Sequence, residues 1–477
     1  MVGYSLMAIA IGLTSIILVY GAYGYGVDPK TGEVIQNSLL FVDSKPGGAE
    51  IILNGQTRQT TSARLTIPAG SYELTLKKAG YRDWSQKFTL NEHSIARYAY
   101  PLLLPVKPLT QHIKAYGNLP PLVSQSPDRR WLLVQAESTA TLTRTFIVEQ
   151  YDTTKLDQPP QTLTLPSELL SGAGPAGSLR AIEWASDNDH LLIQHTYQGG
   201  TEFLVLNRTN PSLSFNINRT FNINPSQVAM RDKRVNQFYI YKNDSTLDLG
   251  DVSKASLQPL LSYVLAFKSY GPDLLSYVTD QKVAAGKVMA RIWENGKTYP
   301  LYTFSAGSQY LIDAAQFQGH WYYVAGSDTA DRINIYKDPL SGIKDPATAK
   351  AIPLIALRDW GANNLSFSSN NRFVGVQAGQ KFGVYDIETQ TRYQYDLTVP
   401  LTSLARWMDG HHWIGNYGGN VLIMDFDSAN QQVIVPTASA ENIYFDKNYN
   451  QMLTFIPTEG GLALTRTDLR AGTDLPQ

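Results

Sequence analysis

The chain has 477 residues, with 40 Lys and Arg against 41 Asp and Glu, a formal net charge of −1, and no cysteine. That balance, with no block of like charge, argues against a nucleic-acid partner. The lack of thiols excludes disulfides, thiolate metal sites and cysteine nucleophiles. The length exceeds one ordinary domain, and 28 Tyr with recurrent short runs of Val, Ile, Leu and Thr favour strands over helices, so a mainly β chain is expected.

Residues 1–27 carry no charge, and the run YSLMAIAIGLTSIILVYGAYGYG is long enough to cross a bilayer core of roughly 30 Å as one helix. Tyr20, Tyr23 and Tyr25 stand near its end, where amphipathic rings favour the membrane interface. A cleaved signal peptide would show a basic leading segment, a shorter apolar run and a small-residue cleavage site, and none is present. The reading is a transmembrane anchor over 1–27, in contact with the lipid bilayer. No Lys or Arg precedes it, so charge alone does not orient it.

After a polar linker at 28–37 the apolar period changes from helical to two. Ala49, Ile51 and Leu53 share one face of a strand, as do Tyr72, Leu74 and Leu76 of another, and a third strand aligns Trp84 with Phe88. Asn54-Gly55 is a tight-turn signal, and Pro68-Ala69-Gly70 marks a second turn. Residues 38–105 therefore read as a small β-sandwich. Pro46-Gly47-Gly48-Ala49, then Asn54-Gly55, then Ile67-Pro68-Ala69-Gly70-Ser71-Tyr72, then Lys78-Ala79-Gly80-Tyr81, occur in the order of the PEGA domain family, which this segment resembles. Gly47 stands where that motif has an acidic residue. The resemblance implies a β-rich module of bacterial and archaeal surface proteins, without catalytic residues and associated with binding. It also implies that the C-terminal domains lie outside the cytoplasm, on a single-pass membrane protein.

Beyond the proline-rich exit YAYPLLLPVKP, a loose unit of strand, polar turn and more apolar strand recurs through 106–477. Its turns fall near Asp128, Asp187, Lys233, Pro272, Gly319, Asn370, Asp409 and Lys447, a blade-like spacing. Such units bury their faces only against neighbours, so a β-propeller is expected, of eight blades, with seven as the alternative. The last unit lacks an obvious fourth strand, and HIKAYG at 112–117 lacks a partner. A strand near 108–117 should therefore complete the last blade. Two tandem sandwiches would not explain so many like-spaced turns.

No nucleophile elbow, zinc-helix motif, P-loop, dinucleotide fingerprint or EF-hand loop is present. His411 and His412 are expected in a turn with Asp409-Gly410, and His190 and His195, five apart on one strand, face opposite ways; both pairs read as structural. Asp128, Asp187 and Asp409 should bond their own turn backbone. No catalytic, metal or cofactor-binding residue and no cofactor is assigned. The expectation is a non-enzymatic, membrane-anchored binding or scaffold protein facing a protein or cell-envelope carbohydrate. The alternative is an extracytoplasmic hydrolase or lyase with carboxylates converging on the propeller channel.

Overall fold

The computed structural model describes residues 2–22, 25–27, 32, 34–136, 146–171, 177–341, 351–358, 361–398 and 400–470. It divides into two compact units, Met1–Leu109 with Asp468–Gln477, and Thr110–Thr467.

In the first unit, helix α1 spans Val2–Ala22, and its stretch Gly3–Tyr20, at mean hydropathy 1.9, is long and apolar enough to cross a membrane. The helix stops short of the expected end at residue 27. Glycines at 21, 24 and 26 are poor helix formers, and Tyr25–Val27 instead form strand β1, which pairs with Val34–Gln36. Residues 34–37, expected in a linker, accordingly open β2 (Val34–Val42).

The following strands are β3 (Glu50–Leu53), β4 (Gln56–Thr60), β5 (Ala63–Pro68), β6 (Gly70–Lys77), β7 (Trp84–Leu90) and β8 (Ile95–Tyr98). One sheet runs β4-β3-β6-β7; in the other, β2 pairs with β5 along one edge and with β1 and β8 along the other. Ala49, Ile51, Leu53, Leu74, Leu76 and Trp84 face inward as their alternation requires and pack against Leu40 and Val42 of the second sheet. Asn54 and Gly55 both have positive φ, 49° and 77°, the conformation a two-residue hairpin demands. The turn at Pro68–Gly70 is not a hairpin of one sheet, because β5 belongs to one sheet and β6 to the other.

In the second unit the described strands form eight four-stranded sheets, here I to VIII, over residues 123–164, 178–216, 227–261, 264–305, 310–358, 364–396, 406–436 and 444–468. Each of the eight expected turns closes the first hairpin of one sheet. The fourth strand of sheet VIII is Thr110–Tyr116, which pairs antiparallel with Gly461–Asp468 from the far end of the chain.

The first strands, or the turns that follow them, are hydrogen-bonded from sheet to sheet. Trp184 Nε1 donates to Ser124 Oγ (2.8 Å), Ser186 N to the Lys233 carbonyl (2.9 Å), Arg231 Nε to the Pro272 carbonyl (2.6 Å) and Tyr270 OH to Asp313 (2.6 Å). Asn371 Nδ2 then donates to the Gln316 carbonyl (3.1 Å), Trp407 Nε1 to that of Ser366 (3.3 Å), and Tyr449 OH to that of Met408 (3.0 Å). Tyr444 OH, donating to the Val123 carbonyl at 2.9 Å, returns from sheet VIII to sheet I and closes the ring. This consecutive closure excludes two tandem sandwiches. Between sheets VI and VII the stacked indoles of Trp407 and Trp413, 3.8 Å apart, fit only because residue 375 is Gly, whose absent Cβ would lie 2.3 Å from the Trp413 ring.

The seam between sheets VIII and I has a polar centre. Glu149 is 6% exposed and accepts from Lys114, from Tyr116 OH (2.7 Å) and from Tyr151 OH (3.0 Å). Around it Tyr116, Leu132, Val134, Leu453, Phe455 and Leu464 form one buried cluster. Burial would raise the Glu149 carboxyl, but its three donors outweigh burial and hold it below the usual range. Removing the cation strands a buried charge, so Lys114→Met should cost roughly 1–3 kcal/mol. Adding Glu149→Gln should recover part of that loss in denaturant unfolding; a double variant no more stable than additive single losses would contradict this account.

Candidate binding groove

The hairpin turns are fixed by a repeated clamp. In sheet I, Asp128 Oδ1 accepts from Arg130 N (3.1 Å) and Ser126 Oγ (2.5 Å), and Ser126 Oγ accepts from Trp131 N (3.0 Å). Ser368, Asn370 and Phe373 repeat the arrangement in sheet VI. The arginine after each turn then reaches the aspartate ending the third strand: Arg130 to Asp152 at 3.0 Å, Arg372 to Asp386 at 2.6 Å. In sheets II and VII a histidine takes this place. His190 contacts Asp187 (2.7 Å) and Asn207 (3.0 Å), and His412 lies 2.8 Å from Asp409 and 3.5 Å from Asp425.

Asp128, Asp187 and Asp409 therefore bond their own turn backbone, as their positions imply. His195 is 2% exposed and pairs with Glu202 at 2.8 Å, within the wall between sheets I and II. His190 and His412 sit in separate clamps, His195 pairs with Glu202 and His411 adjoins His412, and among the described residues no group of three or more His, Asp or Glu is arranged to hold a metal ion. Carboxylates on or beside the inner strands are taken up in pairs across neighbouring sheets: Glu183 with Lys233, Asp273 with Arg231, and Asp313 with Lys268 and Tyr270.

The Arg130–Asp152 clamp also forms one end of a groove of about 260 Å³ on sheet I. Strand alternation sends adjacent side chains to opposite sides, so Glu149 enters the seam while Gln150 turns toward sheet II and the groove. Gln150, 4% exposed, donates Nε2 to Gln161 Oε1 (3.1 Å) and accepts from Arg208 (3.4 Å). Trp131 forms the adjoining wall, with the Arg130 and Arg208 guanidiniums 4.8 and 4.2 Å from its ring. The loop after Asp152 brings Lys155 and Gln158 to the rim, both exposed.

Among the described residues Asp152 is the one carboxylate lining this groove. Burial acts to raise it, yet bonds from Thr154 and Arg130 prevail and lower it, which keeps it charged and committed as an acceptor. The groove thus offers an indole, carboxamides and cationic groups around a saturated carboxylate. The turn near Asp128 is legible in the sequence, but the groove is not. Gln150, Gln161 and Arg208 come from separate strands and sheets, and no local motif joins them.

The architecture is that of a β-propeller of four-stranded sheets preceded by a small β-sandwich. The PEGA domain family matches residues 37–102, so the sandwich is a PEGA domain. Among solved structures the chain is similar to the dihydro-heme d1 dehydrogenase NirN, at 12% identity and a TM-score of 0.44, over 83% of this chain and 74% of that one. An oligogalacturonate lyase from Vibrio parahaemolyticus gives 9% identity and a TM-score of 0.40 over 77% and 98%. The WD40 repeats of RRP9 give 12% and 0.37 over 76% and 97%. These likenesses concern the fold. No curated protein matches the chain.

Buried titratable groups make stability depend on pH. Burial first, and then the charge of His412, lowers His411 to about 4. Between the ordinary histidine value of about 6.5 and that value the unfolded chain binds more protons, so stability falls as pH drops through this window. Glu202 adds a second loss below it: burial would raise this carboxyl, but bonds from His195, Ser171 and Asn216 bring it to about 2. Relative to the wild type, His411→Gln should flatten the stability profile between pH 6.5 and 4 by on the order of 2–3 kcal/mol. Parallel profiles for the two proteins would remove His411 as a cause.

Proposed function

We propose that this is a non-enzymatic, membrane-anchored protein whose C-terminal units stand outside the cytoplasm, and that the propeller binds cell-envelope glycan. The PEGA domain and the propeller fit a surface binding or scaffold role. The observation that carries the glycan reading is the groove on sheet I, with Trp131, its ring flanked by the Arg130 and Arg208 guanidiniums, as one wall and Gln150, Gln158, Gln161 and Lys155 offering donors and acceptors around it. A sugar ring presents an apolar face and a hydroxyl rim, and such a groove suits both. General-acid chemistry needs a carboxyl held near the working pH, whereas Asp152 is pulled the opposite way. The pairing of the inner-strand carboxylates with cations likewise favours binding over hydrolysis or elimination.

The full chain in detergent, passed over immobilised neutral, uronate-bearing and phosphate-bearing envelope polysaccharides, should be retained by at least one of them. Trp131→Ala should weaken retention by roughly tenfold, and Lys155→Ala should weaken it mainly for the acidic polymers. Undiminished retention by Trp131→Ala would remove the groove from the reaction with glycan. Protease added to intact cells of an organism without an outer membrane should release the propeller, and full protection would refute the assigned orientation.

A further inference from the structure

The two outer faces of the sandwich differ in kind. On the β4-β3-β6-β7 sheet the outward side chains, Ile52 apart, are polar and balanced, with Lys87 beside Glu73 and Lys77 beside Asp83. On the other sheet Leu40 and Val42 turn inward, so Leu39 and Phe41 turn outward. Register places Thr66 and Ile95 on either side of Leu39, and Arg64 and Arg97 on either side of Phe41. The guanidinium carbons lie 6.0 and 5.1 Å from the Phe41 ring centre, and Ile95 is 55% exposed. The acidic residue at this end of β2 is Asp43, which accepts a hydrogen bond from Ser62.

This is also the sheet tied to the helix. β1 pairs with β2 at Tyr25↔Gln36, and three residue steps from Ala22 to Tyr25 span at most roughly 11 Å. A helix seated in a bilayer therefore holds this sheet, through β1, at the headgroup layer. We propose that the outer face of the sheet built on β2 lies on an anionic phospholipid surface. Arg64 and Arg97 contact lipid phosphates, and Phe41, Leu39 and Ile95 enter the interfacial layer between them. The proposal rests on the anchored reading of α1. Paired guanidiniums around an aromatic ring match the chemistry of that layer, where phosphate and acyl carbon meet.

The chain contains no cysteine, so single cysteines introduced into the full-length protein carry a spin label at one known place. Labels at Ile95→Cys, Thr57→Cys and Leu13→Cys would be read in vesicles of phosphatidylcholine mixed with phosphatidylglycerol, by accessibility to oxygen and to a water-soluble nickel complex. The expected result is headgroup depth at residue 95, full aqueous exposure at residue 57 and hydrocarbon depth at residue 13. Neutralising both charges with Arg64→Gln and Arg97→Gln should shift the population away from the surface by roughly thirtyfold, about fivefold for each basic residue lost. Residue 95 as exposed as residue 57, with residue 13 in the hydrocarbon, would overturn the face contact alone. Residue 13 outside the hydrocarbon would overturn the anchor and the contact together.

Discussion

Closure of the ring is the constraint on which the second unit depends. A four-stranded sheet has two apolar faces, and an open series of such sheets would leave one face uncovered at each end. Here Thr110–Tyr116 is the last strand of the sheet that ends the unit, so sheet VIII is assembled from both extremes of the chain. Covalent continuity then reinforces contact between faces. The Glu149 cluster lies at this seam and joins the strand that enters the unit to the third strand of sheet I. A buried carboxylate with three donors accepts only one register of the two strands, because sliding either by one residue turns Tyr116 or Glu149 to the opposite face. The polar centre therefore specifies alignment, while the surrounding Leu, Val and Phe side chains supply most of the burial.

The same logic explains where the titratable groups have gone. Every sheet of the ring must hold a turn at its first hairpin and meet its neighbour at the first strand. Short polar side chains satisfy turn backbone, and ion pairs can be exchanged across sheets without filling the narrow inner space. Asp128, Asp187 and Asp409 serve the first need; Arg231 with Asp273 and Lys268 with Asp313 serve the second. Histidine and arginine occupy one place in different sheets because each follows the turn and reaches the end of the third strand, the histidines also holding the turn aspartate. A histidine beside two carboxylates looks like chemistry in a list of distances. Its recurrence at the same place in the repeat, with arginine as an alternative, marks it as part of the clamp.

The division between what was legible in the sequence and what was not follows the range of the interactions. Alternation in AEIILNG and SYELTLKK, the Asn54-Gly55 turn and the eight spaced turns are local signals, and the structure places each as a strand or a first-hairpin turn. The orphan HIKAYG was readable because it was a local strand without a local partner. Strands β2, β4 and β8 were not read, since their apolar residues are few or interrupted by polar ones. The end of α1 was placed too late because aromatic residues near an interface are compatible with either helix or strand, and pairing with β2 decided between them. The groove was least legible: Trp131, Gln150, Gln161 and Arg208 meet only through two sheet registers and one contact between sheets.

On the anchored reading of α1, a PEGA domain that follows directly on the helix has to satisfy two solvents at once. Its core is dominated by apolar side chains, with Leu40, Ile51, Leu74 and Trp84 all at 0% exposure, so the choice of solvent is left to the outer faces. One carries charges of both signs in alternating positions, which water and salt screen well. The other carries arginines around Phe41 and leaves Ile95 bare, a composition that water alone does not favour. Since β1 fixes the helix to the second sheet and not to the first, the asymmetry in surface chemistry coincides with the asymmetry in attachment. A module placed only as a spacer would need neither.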